Sequence, residues 1–451
     1  MRKIKKIQLI FPPSSLNGVG FEGCFVPNGL LSIANYLSQT QPEIEVEVID
    51  GTVTSLTSII SKLDADLVGI GALTGNYKTG KQILKAAKQK DILTVVGNHH
   101  GSYLFTECQN IEIPDVDFII DNGRYQRGEF SFNRLVKALK SGSDFDSIPS
   151  LAYKKNGVFV KTVGENVKHR LKDLVKPELL FIKNFEPYFE KYNKTFWLHH
   201  EDYKKSININ FIKGCLQGMI KPCDYCCLKD HKIDMLSPEK YWEEVVNLVE
   251  KGFNYIFETC NSLSSLKHFG KGSSKGTFLD RLADAFPKEL NGKVQMQVYG
   301  SASEIDDRVI ENFKKMCVQR VIFGFDDYDP RVVGKTSGCI GQNIEVAKKL
   351  DKAGIQIFAC YVPGSEGETK YKLNKTVDQI MEVMELPSTS VIEFTSLAPM
   401  PGSRAYEQIK YRYWELYGKT DCLDVVDLAR VWVQEKVPDL TWEIIEEYKD
   451  K

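Results

Sequence analysis

Apolar and polar side chains change places along the chain with two clear periods. Ile7-Gln8-Leu9-Ile10-Phe11 is a short apolar run closed by Pro12-Pro13 and reads as a first buried strand. Helical spacing follows over Pro27–Leu37, then a strand over Glu45–Asp50, a helix through Ile59 and Leu63, and a third strand over Leu67–Gly71. A helix from Lys78 to Lys88 leads to strand Leu93–Gly97, and Asp117-Phe118-Ile119-Ile120 reads as a further strand. Strands and helices alternating at this spacing predict a Rossmann-like, doubly wound parallel sheet over residues 1–140. Ligands of such sheets sit at the carboxyl ends of the strands, which here carry Asp50, Gly71-Ala72-Leu73-Thr74 and Gly97-Asn98-His99-His100.

Residues 141–205 read as a connector. It contains a hairpin about Asn156-Gly157 and then a segment rich in lysine and aromatics, with Tyr188, Phe189, Tyr192, Phe196 and Trp197. Packing of one domain onto the next is the simpler use of those rings, peptide stacking the other. From Ile207-Asn208-Ile209-Asn210-Phe211-Ile212, where apolar and polar positions alternate, strand–helix repeats of roughly 35 residues predict a partial (β/α)6 barrel over 206–405. Its later strands are Tyr255–Glu258, Val294–Tyr299, Arg320–Phe325, Ile355–Tyr361 and Val391–Phe394. A helical tail, 406–451, carries Trp414, Trp432 and Trp442. The expected fold class is therefore α/β, a doubly wound sheet followed by a partial barrel and a short helical tail.

Composition narrows the partners. The 451 residues carry a net charge of −1, so no basic field draws the chain to nucleic acid. No apolar run has membrane-spanning length, and the basic start Met1–Lys6 runs into a strand rather than a signal sequence. Eleven cysteines, scattered but for one group, argue for a reducing compartment. The expectation is a cytoplasmic protein with neither nucleic-acid nor membrane partners.

The one thiol group is Cys215, Cys223, Cys226 and Cys227, on a loop that leaves a strand. Cysteines so spaced suggest a metal-binding turn. A closed zinc knuckle would need four tetrahedral ligands, two of them vicinal here, whereas three thiolates on a four-iron cluster leave one iron open. The stretch Cys223-Asp224-Tyr225-Cys226 resembles the cluster loop of radical S-adenosylmethionine (SAM) enzymes, Cys-x3-Cys-x-aromatic-Cys. Here the first gap is seven residues, a four-residue insertion. The resemblance implies that Cys215, Cys223 and Cys226 hold a 4Fe–4S cluster and that Cys227 is a neighbour. It further implies that SAM, held beside Tyr225 and by Glu258, Ser301, Ser303 and Asp326, is cleaved by a cluster electron to a 5′-deoxyadenosyl radical. A strand-end Ser or Asp is as readily a cap for the next helix.

Other strand ends are similar to family landmarks: Gly324-Phe325-Asp326-Asp327, Lys335, the loop Val362–Thr369, and Pro399-Met400-Pro401-Gly402-Ser403. The N-terminal sheet, closing with Gly123–Glu129, resembles the cobalamin-binding-type domain ahead of many such barrels. Asp50 is followed by Gly51-Thr52-Val53, so the Asp-x-His-x-x-Gly signature is absent, and cobalamin is possible but not favoured. His99 and His100 are read as an exposed pair that is solvated or ligand-contacting rather than metal-ligating. Cys360, alone near a late strand end, is either a core thiol or a hydrogen-atom donor. The whole pattern most resembles the proteusin peptide epimerases. That implies D-residue formation in a ribosomal precursor peptide with a leader, with Cys360 as donor and flavodoxin or ferredoxin as reductant. The alternative is a cobalamin-dependent radical SAM methyltransferase acting on a peptide or small molecule. A degenerate leader-binding scaffold would need no cluster thiols.

Overall fold

The computed structural model describes residues 3–14, 24–121, 128–164, 179–197, 202–228, 233–270, 272, 274, 276–329 and 340–448. They form two compact units: residues 1–191 with 400–402 and 406–427, and residues 192–399 with 403–405 and 428–451.

The first unit is built on a seven-stranded sheet: β1 (Lys6–Phe11), β2 (Glu45–Asp50), β3 (Leu67–Gly71), β4 (Leu93–Gly97), β5 (Phe118–Ile120), β6 (Leu151–Lys155) and β7 (Val158–Lys161). Its order is β2-β1-β3-β4-β5-β6-β7. The first five strands are parallel. All five residues of β3 are buried, as a strand covered on both faces requires. Gly69 shows how closely: a Cβ there would lie 2.8 Å from Leu9 and 3.2 Å from Phe132, on helix Gly128–Ser141. The hairpin expected within the connector is formed, but it pairs antiparallel onto β5 and extends this sheet. Asn156 and Gly157 have φ of 52° and 83°, the left-handed pair that a two-residue hairpin turn demands.

In the second unit β8 (Ser206–Ile209) precedes a small antiparallel pair, β9 (Ile212–Lys213) and β10 (Asp234–Met235). β11 (Tyr255–Glu258), β12 (Gln295–Gly300), β13 (Val318–Asp326), β14 (Gln356–Tyr361) and β15 (Thr389–Phe394) follow. The order β8-β11-β12-β13-β14-β15 is sequential and wholly parallel, the expected partial barrel. Helices between the strands start on side-chain caps: Ser237 before Pro238, the Thr277/Asp280 box, Asp306 and Thr369. Each satisfies a backbone N–H that the helix leaves unpaired.

The amino-terminal end of this barrel is closed by a buried cation. Arg320 is fully buried and donates to the Phe196 carbonyl at 2.9 Å, the Gln356 amide oxygen at 3.1 Å and the Tyr192 hydroxyl at 3.3 Å. Its guanidinium lies 4.6 Å from the Trp197 ring centre. Aromatics of the expected connector thus floor the barrel, while Tyr188 donates to Asp50 at 2.8 Å in the first unit. The tail is likewise divided. Residues 406–427 belong to the first unit; in the second, Trp432 donates its indole N–H to the Gly364 carbonyl at 2.7 Å. No helix among the described residues is long and apolar enough to cross a membrane.

Arg320 should be irreplaceable by lysine, whose single nitrogen cannot span acceptors met by three separate guanidinium nitrogens or stack flat on an indole. Arg320→Lys is expected to cost about 2 kcal/mol, as loss of hydrogen bonds made by a charged group does, read as a lower urea midpoint at unchanged slope. A midpoint within error of the parent would show that the floor is not what holds the barrel.

Candidate functional site

The thiol loop leaves β9 through Gly214, at φ 104°. Cys215 then caps helix Leu216–Ile220, its Sγ accepting the Gly218 N–H at 3.4 Å. The widened first gap is thus taken up by a turn of helix rather than slack loop. Cys223 and Cys226 bracket a tight turn, the Cys226 N–H on the Cys223 carbonyl at 3.0 Å. Asp224 ties the turn down: its carbonyl accepts from the Ala405 N–H at 2.8 Å and its carboxylate from Arg404 at 3.2 Å. Tyr225 donates its hydroxyl to Asp326 at 3.0 Å. Two residues expected to hold SAM are therefore brought together.

All four loop thiols are half-buried. Burial, then the neighbouring Cys227 and Cys215, pushes the Cys226 thiol up to about 11. A thiol held protonated by burial favours a cation that stabilises its thiolate. Among the described residues no three His, Cys, Asp or Glu side chains stand in a ready metal-holding arrangement. The donor set itself, soft sulfur on one loop with a backbone N–H on Cys215, fits an iron–sulfur cluster.

Glu258 ends β11 and is fully buried, accepting the Cys260 N–H at 3.0 Å and the Phe211 N–H at 3.4 Å. It steadies the backbone turn that leads into the thiol loop. Burial pushes its carboxyl up to about 8. After β12, the Ser301 and Ser303 hydroxyls are 3.1 Å apart. The Ser301 N–H donates to Ser264, which lies 3.0 Å from the Ser262 hydroxyl. Ser262 and Ser264 were not foreseen; the serine-rich run Ser262–Ser265 was the available signal.

At the end of β13, Asp326 takes the left-handed φ of 57°. Its neighbour Asp327 is fully buried and raised to about 6 by that burial. Glu368, in the loop after β14, is raised to about 7 by burial and by Asp327, and accepts backbone N–H groups of Gly364 and Ser365. One buried oxygen each of Asn210, Asp327 and Glu368 has no hydrogen-bond partner. These acceptors follow the carboxyl ends of parallel strands and fit a donor-rich ligand such as SAM, with its ammonium and ribose hydroxyls. Lys335 lies outside the described residues. Cys360, half-buried on β14, stands in register with Gly324 and Glu393, its Sγ 3.5 Å from the Glu393 carboxylate.

In the first unit the strand order reverses between β1 and β3, the switch point where doubly wound sheets bind ligands. At the end of β4, the one atom among the described residues within 4 Å of a Cβ built on Gly97 is the Ile120 carbonyl oxygen at 3.8 Å, and Asn98 has φ 69°. The histidine pair is not an exposed loop: both residues lie in the first turn of helix Asn98–Glu107. His100 is fully buried, its Nε2 2.8 Å from the Asp421 carbonyl, and burial lowers it to about 4. Its Nε2 is thus committed to a backbone carbonyl rather than offered to solvent. Gly123–Arg127 lie outside the described residues.

A family model for the B12 binding domain matches residues 15–127. An uncharacterized methyltransferase of Pyrococcus horikoshii, PH0819, is 24% identical over 428 residues, covering 90% of this chain and 83% of that protein. The structure of the radical SAM methyltransferase TsrM from Kitasatospora setae, with cobalamin and a 4Fe–4S cluster bound, superposes with a TM-score of 0.66 at 16% identity over 91% of this chain and 76% of that one. The cobalamin-dependent radical SAM enzyme OxsB, with aqua-cobalamin and SAM bound, gives 0.66 at 14% identity over 94% of this chain and 65% of that one. The fold is thus that of radical SAM proteins with a B12-binding-type domain ahead of the barrel. The B12 match overturns the expectation that cobalamin is not favoured: it points to a corrinoid even though the sheet lacks the cobalt-ligating histidine motif.

Two outcomes follow for the site. Cys226→Ala should lose the brown cluster absorbance after anaerobic reconstitution while Cys227→Ala keeps it; the reverse would exchange their roles. Because burial raises Glu258 from 4.5 to about 8, the folded chain binds its proton more tightly than the unfolded chain does. Stability should fall as pH rises from about 4.5 through about 8, and Glu258→Gln should flatten that decline in denaturant titrations. An equally steep decline in the variant would remove Glu258 as its source.

Proposed function

We propose that the chain is a cobalamin-dependent radical SAM methyltransferase acting on a small molecule or a peptide. The observation that carries this is the joining, in one chain, of a B12-binding-type sheet to a barrel bearing the Cys215/Cys223/Cys226 loop. The methyltransferase relatives support it. When bound, the cluster, SAM and a corrinoid supply one-electron chemistry and a transferable methyl group.

The chain's own residues do the positioning. The three thiols hold the cluster at the mouth of the barrel, and the Tyr225–Asp326 hydrogen bond fixes the turn that carries two of them. Ser301 and Ser303 offer hydroxyls to a polar ligand, and Asp326 holds the tyrosine that the family places beside the adenine. Glu258 acts one step back, on the turn before the loop. A one-electron reductant such as flavodoxin or ferredoxin is the expected partner.

Peptide epimerisation stands as the second reading, favoured by the half-buried Cys360 thiol beside Glu393. A thiol can return a hydrogen atom to a carbon radical; methyl transfer from a corrinoid has no use for one.

Anaerobically purified, cluster-reconstituted protein offered hydroxocobalamin should bind one equivalent and retain it through gel filtration. Cys360→Ala should bind it equally. Absence of corrinoid binding by protein with an intact cluster would reject the methyltransferase and leave the epimerase.

A further inference from the structure

The inner layer of the barrel contains a carboxylate that the cofactors do not account for. Glu393 lies on β15, in register with Cys360 on β14 and, through it, with Gly324 on β13. Register partners in a parallel sheet point to the same face, so thiol and carboxylate share one side of the sheet, beside a residue with no side chain. Their 3.5 Å separation agrees. Tyr299, on β12, shares that face: its register partners Ile322 and Phe358 stand two residues before Gly324 and Cys360, and burial, then Cys360 and Glu393, pushes its phenol up. Tyr299 in turn packs its ring 5.2 Å from that of Phe257 on β11. Five adjacent strands, β11 to β15, thus build a face that begins in two aromatic rings and ends in a carboxylate.

That carboxylate is poorly served by the protein. Its partners among the described residues are the Cys360 thiol, a weak donor, and the Thr395 hydroxyl. No lysine or arginine among the described residues pairs with it, and burial raises its pKa. Structural carboxylates of this barrel are treated otherwise: Asp280 receives Arg308 twice, at 2.9 and 2.7 Å, and Asn312 at 2.9 Å, while Glu258 takes two backbone N–H groups. The Tyr299 hydroxyl also makes no hydrogen bond among the described residues. A half-buried acid and a phenol on the same face, with no cation supplied by the described residues, are what a cationic ligand completes.

We propose that Glu393 is the substrate anchor and that the barrel selects an aromatic or otherwise flat apolar molecule bearing a protonated amine. The ring lies along Phe257 and Tyr299 and the ammonium on Glu393. This rests on the reading of the barrel as a radical SAM site and adds the chemical class of its substrate. Cys360 borders the same space and therefore lies within reach of the bound molecule in either reading of the reaction. Glu393 is a specificity residue; no covalent step passes through it.

The test uses two probes with the same ring, tryptamine and indole-3-propionate, titrated calorimetrically into the reconstituted full chain with SAM present. The parent should bind the amine about tenfold tighter than the acid or better, the discrimination expected of one charge-assisted hydrogen bond. Glu393→Gln should bring the two within about twofold, about a fivefold or greater loss of preference, while leaving cluster absorbance and SAM affinity unchanged. Cys360→Ala should retain the preference. Equal binding of the two probes by the parent, an unchanged preference in Glu393→Gln, or no saturable binding of either would overturn the anchor. Loss of SAM affinity in Glu393→Gln would overturn it too, by giving the carboxylate to SAM. Failure of the parent to assemble a cluster or bind SAM, read before any probe is added, would instead refute the radical SAM reading beneath it.

Discussion

One hydrogen bond ties the thiol loop to the barrel. Tyr225 sits one residue before Cys226 and reaches Asp326, 101 positions later, at 3.0 Å. A loop with seven residues between its first two thiols has many ways to fold; this bond, with the Asp224 contacts to Ala405 and Arg404, leaves it one. Asp326 can accept it because β13 ends there in a left-handed turn at φ 57°. Non-glycine residues hold that conformation only where the surroundings enforce it, and here the Val362 N–H on the Asp326 carbonyl at 2.7 Å supplies part of the enforcement.

The parallel register does the rest. Six strands running the same way bring Ile209, Glu258, Gly300, Asp326, Tyr361 and Phe394 to one end of the barrel, so each following loop opens on the same side. The two ends are chemically opposite. At the amino end all three nitrogens of the Arg320 guanidinium donate to protein acceptors and its plane lies near an aromatic ring, which closes it. At the carboxyl end oxygens of Asn210, Asp327 and Glu368 are buried without partners. Unpaired buried acceptors are costly and persist where a ligand satisfies them. The asymmetry points polar ligands to the face that also carries the thiols.

Much of this was readable in local sequence. The two periods marked the strands, Asn156-Gly157 marked its hairpin, and Cys223-Asp224-Tyr225-Cys226 marked the loop. Long-range contacts were not readable. His100 looked solvated because nothing near it in sequence shows that Asp421, 321 residues on, accepts it and that Lys81 holds the same aspartate at 2.6 Å. The hairpin's place on β5 was hidden because pairing between residues as far apart as Phe118 and Tyr153 leaves no local trace. Glu258 looked like a ligand-facing acid because burial reads alike for a backbone clamp and a binding group until the Cys260 and Phe211 N–H groups are seen. The weight placed on Cys360 had a similar source: a lone strand-end thiol invites a chemical role, and its neighbour Glu393 is visible only across the sheet. The corrinoid was underrated because a missing cobalt-ligating histidine was counted against the whole domain, whereas the sheet's switch point does not depend on it.

The central claim is that a methyl group reaches the corrinoid within this chain. Reconstituted protein loaded with reduced cobalamin and given SAM deuterated in its methyl group, with no substrate added, tests it directly by mass spectrometry of the released corrinoid. A trideuteromethyl group on the cobalamin, with S-adenosylhomocysteine formed in equal amount, is the predicted result. Cleavage of SAM to methionine and 5′-deoxyadenosine with an unlabelled corrinoid would contradict it.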